Sequence, residues 1–353
     1  MPPKTSLSGK IQTVLGPIEP ELLGVTLTHE HIMCDCSCYF EMPDEASLRT
    51  LVDAPVTMEN LRLIPGLFRF NKDNQRLWDV EVAIEELLAF KYAGGGSLVD
   101  VSNIGLARDP LALARISRAT NLNIIMGGSY YVSESYPEDM DDLTEDQIAE
   151  QIIDDITVGV GVTTIKSGLI GEIGNRWPPI ANEKKVLRAS ARAQIETGAP
   201  ILIHPGFHLN SPGHILDILD EAGADISRVV MGHLDLIPGR NLTRELIKYG
   251  CFMEYDVFGM ETTQIMDASD PTIYLQSDVQ RIEMIKFIFE QGAGDRLVIA
   301  QDTFFKWQMS RYGGKGYAHI IENIVPRMLK RGFTRENIKT ILVDNPKKIL
   351  TFA

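Results

Sequence analysis

Eight apolar runs of strand length recur along the chain, each trailed by a segment of helical periodicity, and this alternation constrains the fold more than any other feature. The runs are GVTLTHEH (24–31), SLVDVS (97–102), NIIMGGSYY (123–131), TIKSGLIGEIG (164–174), PILIHPG (200–206), RVVMGHLD (228–235), CFMEYDVFG (251–259) and RLVIAQDT (296–303). Amphipathic patterns occupy 82–93, 109–120, 143–157, 182–196, 212–222, 241–249 and 278–291. Near-continuous apolar strands predict a parallel sheet buried on both faces. Eight such strand–helix units are the number that closes a (β/α)8 TIM barrel. A chain of 353 residues suits one barrel domain over 1–353, without linker, repeat or low-complexity tract.

Residues 1–23 are expected to add a small strand pair over one end, and 317–353 to add helices after the eighth strand. The segment 40–80 is too long and polar for a plain connection, so it is expected to be a lid or an oligomer contact. A net charge of −14 with no basic cluster argues against nucleic acid as a partner. The N-terminus lacks the apolar stretch of a signal peptide, and no membrane span is expected. Four cysteines, three of them packed as C-x-C-x-C at Cys34, Cys36 and Cys38, do not make a secreted disulfide framework, which points to the cytoplasm.

Catalytic residues of a barrel gather at the C-terminal ends of its strands. His29 and His31 close the first run, Glu172 the fourth, His204 the fifth, His233 the sixth and Asp302 the eighth. Side chains alternate along a strand, so His29 and His31 point the same way. Four imidazoles and two carboxylates are a suitable inventory for two divalent ions sharing a carboxylate, with zinc first and manganese, cobalt or iron as alternatives. Lys166 is the rival bridge, since a lysine carrying CO₂ is also a carboxylate. It lies six residues before Glu172, roughly 20 Å at about 3.3 Å per residue, and the loop after the strand places the mouth beside Glu172. Cys34, Cys36 and Cys38 lack a second pair to complete a tetrahedral site, and Cys251 stands alone; loop or buried thiols are the expected role.

The ordered set TLTHEHI, SGLIGEIG, LIHPG, VMGHLD and IAQDT resembles the phosphotriesterase family of the amidohydrolase superfamily, from about residue 10 to 352. PVTMENL, GEIGNRWP, YGGKGYAHI and NPKKILTF are similar to its phosphotriesterase-related branch. The resemblance implies a (β/α)8 barrel with a binuclear metal centre. It implies His29, His31 and Asp302 on the more buried ion, His204 and His233 on the more exposed one, and Glu172 as the bridge. Tyr130 matches the pocket aromatic ending strand three, and a homodimer is implied. The chain departs from the family at three places: Gln301 where histidine is common, Phe207 followed by His208 where arginine often follows HPG, and Arg176 where a small residue is usual.

Such a centre activates water, whose pKa falls from 15.7 to roughly 7 on metal coordination. Asp302 is then the expected proton acceptor, Asp235 either a proton relay or an orienting partner, and Tyr130 a leaving-group contact or pocket wall. Arg176, Phe207, His208 and Lys306 are the expected substrate contacts. The leading expectation is a hydrolase of a small-molecule ester, lactone or amide. The alternatives are a phosphotriester or phosphoester hydrolase, an amidase of N-acyl conjugates such as N-acyltaurines, a metal-containing binding protein without turnover, and a barrel whose polar strand ends serve packing alone.

Overall fold

The computed structural model describes residues 7–64, 69–237, 239–261 and 275–353. Residues 1–6 of the N-terminal reading, four residues of the 40–80 segment and part of the 251–259 strand's following loop lie outside the described residues.

The strands in chain order are β1 (Ile11–Thr13), β2 (Gly16–Ile18), β3 (Thr26–Glu30), β4 (Cys34–Asp35), β5 (Arg76–Leu77) and β6 (Ser97–Asp100), followed by β7 (Asn123–Met126), β8 (Ile170–Gly174), β9 (Ile201–His204), β10 (Val229–Met231), β11 (Phe252–Tyr255) and β12 (Leu297–Ile299). β3, β6 and β7 form one parallel sheet, and β8 to β12 form a second in sequential order. Leu98 pairs with Leu27 and Ile124, and Val230 with Leu202 and Phe252. The sheets meet at both edges. At one, Asp302 N–H donates to His29 O (3.1 Å) and His31 N–H to Thr303 O (3.3 Å); at the other, Gly128 and Gly171 exchange bonds of 3.1 and 2.9 Å. That second contact requires glycine: a Cβ on Gly127 would stand 2.2 Å from Gly171 O, and Gly171 itself has φ +136°.

The helices are α1 (Val80–Tyr92), α2 (Pro110–Thr120), α3 (Glu145–Thr157), α4 (Ala181–Thr197), α5 (Ser211–Glu221), α6 (Arg240–Tyr249), α7 (Asp278–Glu290), α8 (Val325–Lys330), α9 (Arg335–Lys339) and α10 (Asn345–Leu350). They follow the expected spans closely because their starts are written in capping residues. Asp79 accepts from Glu81 and Val82 N–H, Asp109 precedes Pro110, and Thr144 and Gln147 form a reciprocal box. Thr144→Ala is expected to cost about 1 kcal/mol in urea denaturation; an unchanged midpoint would show that the cap contributes nothing.

Alternation along each strand divides the core in two. Leu98, Ile124, Ile201, Ile203, Val229 and Met231 face the helices. Val99, Ile125, Leu202, Val230, Phe252 and Val298, one from each of six strands, form an inner cluster with Ile11, Leu23 and Leu350. Near the N-terminus β1 pairs antiparallel with β2, with Ile11 opposite Ile18. The strands are shorter than their apolar runs: the fourth begins at Ile170 rather than 164, and the third stops at Met126 rather than 131, where Gly127, Gly128 and Ser129 (φ +73°) turn the chain. Among the described residues, no helix is long and apolar enough to cross a membrane.

Candidate metal centre

Opposite the inner cluster, the six anticipated side chains converge. Glu172 lies 3.4 Å from His29 Nε2, 3.2 Å from His31 Nε2, 3.1 Å from His204 Nδ1 and 3.5 Å from His233 Nε2. Asp302 Oδ1 lies 3.4 Å from His31 Nε2 and 3.8 Å from His29 Nε2. All six are buried. Of the two rivals, Glu172 lies on β8 within the cluster, while Lys166 precedes that strand.

The convergence has local causes. Register shifts interrupt β3 between Leu27 and Glu30 and β8 between Ile170 and Ile173, and such bulges re-aim side chains. His233 (φ +54°) and Asp302 (φ +47°) adopt the left-handed region that costs a non-glycine residue of order 1–3 kcal/mol. Buried carboxylates offset that cost. Asp256 accepts the His233 N–H (2.8 Å), while Glu30 accepts the N–H groups on either side of Asp302, from Gln301 (2.8 Å) and Thr303 (3.0 Å).

The outer nitrogens of three imidazoles are engaged. His29 Nδ1 donates to Glu254 (3.0 Å) and lies 3.3 Å from Asp256, His233 Nδ1 donates to Asp256 (2.9 Å), and His31 Nδ1 pairs with Ser102 Oγ (3.0 Å). A proton held on Nδ1 leaves the Nε2 lone pair aimed inward, the arrangement of metal-ligating histidines. His29 Nε2 is buried and, among the described residues, has no hydrogen-bond partner. Among the described residues, three sets of ligand atoms each lie within 4.8 Å: His29, His31 and Asp302; Glu172, His204 and His233; and His29, His233 and Asp256.

Electrostatics agree with this donor set. Burial alone would lower the His29 imidazole, yet Asp256, Glu172 and Glu254 outweigh it and hold it well above its usual range. Burial likewise works against His31, where Asp302 and Glu172 prevail, and against His233, which Asp256 and Glu172 lift to about 10. Burial and then the neighbouring His233 depress His204. Burial opposes ionisation of Glu172, but His29 and His204 hold its carboxyl well below the usual range. The carboxylates thus demand compensating positive charge, and divalent cations compete with protons for the same lone pairs. The residues fit a metal pair.

The remaining expectations divide. Arg176, Phe207 and His208 border a cavity of about 560 Å³ that also touches His204 and is rimmed by Cys38, Tyr39, Phe40 and Arg69. Phe207 packs on His204 at 5.4 Å between ring centroids, and His208 stacks on Trp177 at 4.9 Å. Arg176 pairs with Glu134 at 2.6 Å. Lys306 is elsewhere: it pairs with Asp73 (2.6 Å) in a separate surface cavity with Asp53 and Trp78. Tyr130 packs edge-on against Tyr136, whereas Tyr131 places its hydroxyl 3.4 Å from His204 Nδ1 and 2.7 Å from Tyr39 Oη. The turn at Ser129 shifts the alternation by one residue and substitutes Tyr131 for Tyr130 at the site. Asp235 does not face the cavity; it accepts from Val257 N–H (3.0 Å) and from Arg281 Nε (2.7 Å). Cys34 and Cys36 are buried beside the first loop with sulfurs 3.9 Å apart, and all four cysteines are free thiols.

Glu254, Asp256, Glu30 and Tyr131 were missed from the sequence. EYD on the seventh run, two acids at strand spacing inside an apolar segment, was the available signal.

An α/β fold with a histidine–carboxylate cluster at its strand ends defines a class of hydrolase, and comparison with known proteins gives the family. The phosphotriesterase family model matches residues 9–350, and the chain belongs to that family. It is 43% identical over 350 residues to an N-acetyltaurine hydrolase of Xenopus tropicalis, covering 99% of each chain. It is 44% identical over 351 residues to a phosphotriesterase-related protein of Nematostella vectensis, covering 98% of this chain and 99% of that one. A crystal structure of a resiniferatoxin-binding protein from Rhodobacter sphaeroides superposes with a TM-score of 0.93 at 35% identity, over 99% of this chain and 97% of the other. The protein is a hydrolase.

Proposed function

We propose that this hydrolase is a binuclear metal-dependent amidase of small N-acyl conjugates, built on a closed (β/α)8 barrel. The observation that carries the reading is the approach of Glu172 to four imidazoles at 3.1–3.5 Å. Backbone bonds at both sheet edges and the single inner cluster support closure of the barrel. The similarity to an N-acetyltaurine hydrolase over 99% of both chains supports an amide rather than a phosphoester.

His29, His31 and Asp302 would hold one cation and His204 and His233 the other, with Glu172 shared and zinc the first candidate over manganese, cobalt or iron. Two divalent ions bound there supply Lewis acidity, lowering the pKa of water and polarising a carbonyl oxygen. The chain does the rest. Asp302, whose Oδ1 lies 3.4 Å from His31 Nε2, accepts the proton released by water and can return it to the departing amine. Glu30 keeps that carboxylate in place through the two flanking amides. Tyr131, braced by Tyr39, borders His204 where the leaving group exits. Arg176 supplies positive charge and His208 its Nε2–H donor for an anionic end such as a sulfonate, and Phe207 excludes water beside His204. Asp235 orients the chain after β11 rather than relaying a proton.

The expected result is about two equivalents of bound metal per chain and release of acetate and taurine from N-acetyltaurine, measured beside lactones, esters and phosphotriesters. Preferred turnover of a lactone or phosphotriester would replace the amidase reading. A preparation free of metal that still hydrolyses its substrate would remove the metal centre from it.

A further inference from the structure

Among the described residues, one that lines the cavity beside His204 carries a buried acceptor whose capacity is unspent. Asn175 follows β8 directly, three residues after Glu172, and is 3% exposed. Its backbone N–H donates to His204 O (3.0 Å), and its Nδ2 donates to Ile173 O (3.1 Å) and His204 O (3.4 Å). Two carbonyls on the nitrogen fix the orientation of the amide, because a flipped side chain would set oxygen against oxygen. Oδ1 is thereby held on the other branch, and among the described residues it has no partner. Neighbouring polar groups on the cavity wall are engaged: Tyr39 Oη with Tyr131, Arg176 with Glu134, and His208 Nδ1 with Asn210 N–H. A buried carbonyl oxygen left unpaired keeps its desolvation cost uncompensated, so it marks a place where a donor is missing.

We infer that Asn175 Oδ1 accepts the N–H of the scissile amide, making Asn175 a specificity-determining residue that separates secondary amides from esters, lactones and tertiary amides. The inference rests on the amidase reading and adds to it the group that recognises the bond. A secondary amide differs from the matching ester by one donor, and Asn175, a lining residue of the cavity that also touches His204, carries an unpaired acceptor. A substrate lacking that donor leaves Oδ1 unpaired in the closed site, and a site built around a substrate N–H discriminates by that penalty.

Three substrates with one acyl group and one sulfonate tail test it: N-acetyltaurine, its N-methyl derivative and the corresponding acetate ester. kcat/KM for each is measured with the metal-loaded parent and with Asn175→Ala and Asn175→Leu. The expected result is a fall of about 10–100-fold on the secondary amide in both variants, with ester turnover changing less than threefold. The amide-to-ester ratio is independent of the fraction of active enzyme. An equal loss on amide and ester, or an unchanged ratio, overturns the inference and leaves Oδ1 as a water site. Should neither variant fold, the parent decides: N-methylation costing less than about threefold overturns the inference, and a larger loss supports it. Absence of turnover of all three by the parent would instead overturn the amidase reading, a result distinct from any of these.

Discussion

Glu172→Gln is expected to abolish turnover and strip the protein of metal while leaving far-UV circular dichroism unchanged. Glutamine keeps the size and the backbone of β8 but offers one neutral oxygen where two charged ones now face four imidazoles. It cannot neutralise two cations, and its NH₂ would direct donors toward nitrogens whose lone pairs the site needs. His204→Ala and Asp302→Asn are expected to behave alike. A graded control separates ligands from their supports. Asp256→Asn keeps only one of the two oxygens that accept from His233 Nδ1 and the His233 N–H, and should weaken metal affinity by about 10–100-fold. Metal content by elemental analysis and kcat/KM by taurine release read the series. Retention of both metal and turnover in the Glu172 variant would end the case for a bridged pair.

The site was legible where the chemistry is local to one strand end. His29 and His31 share a face because a strand has period two, and Glu172 wins over Lys166 because only one end of a strand opens on the mouth. What escaped notice depends on distance in sequence or on a turn within the run. Lys306 and Asp235 stand near the site residues in sequence, yet their partners, Asp73 and Arg281, are 233 and 46 residues away. Glu254 and Asp256 sit in an apolar run whose two acids gain meaning only once His29 and His233 lie against them. Tyr131 replaced Tyr130 because a left-handed residue at Ser129 reverses the parity that simple alternation assumes. Helix boundaries transferred well for the opposite reason: Asp79, Asp109, Thr144 and Ser277 cap helices within three residues of themselves.

Arg281→Met should destabilise the fold by about 3–5 kcal/mol, the usual result of stranding one half of a buried ion pair. Arg281 is fully buried on α7. Its Nε donates to Asp235 (2.7 Å), Nη1 to Asp278 (2.9 Å) and Nη2 to Met260 O (3.1 Å). Burial pushes the Asp235 carboxyl up to about 6 even against the pull of Arg281, so loss of the guanidinium leaves a carboxylate in an environment that already resists its charge. The consequence reaches the candidate centre along a covalent path. Asp235 holds the N–H groups of Asp256 and Val257, and Asp256 in turn orients His233 and lies against His29. Metal affinity should therefore fall along with stability in Arg281→Met, although Arg281 touches no candidate ligand. Adding Asp235→Asn neutralises one of the two carboxylates that Arg281→Met deprives of the guanidinium, keeps an acceptor for Val257 N–H, and is expected to restore roughly half of the lost stability, about 2 kcal/mol. Urea unfolding of the single and double variants measures the coupling directly. A single variant as stable as the parent, or a second substitution that only adds to the loss, would show that this buried pair does not hold the loop that carries Asp256.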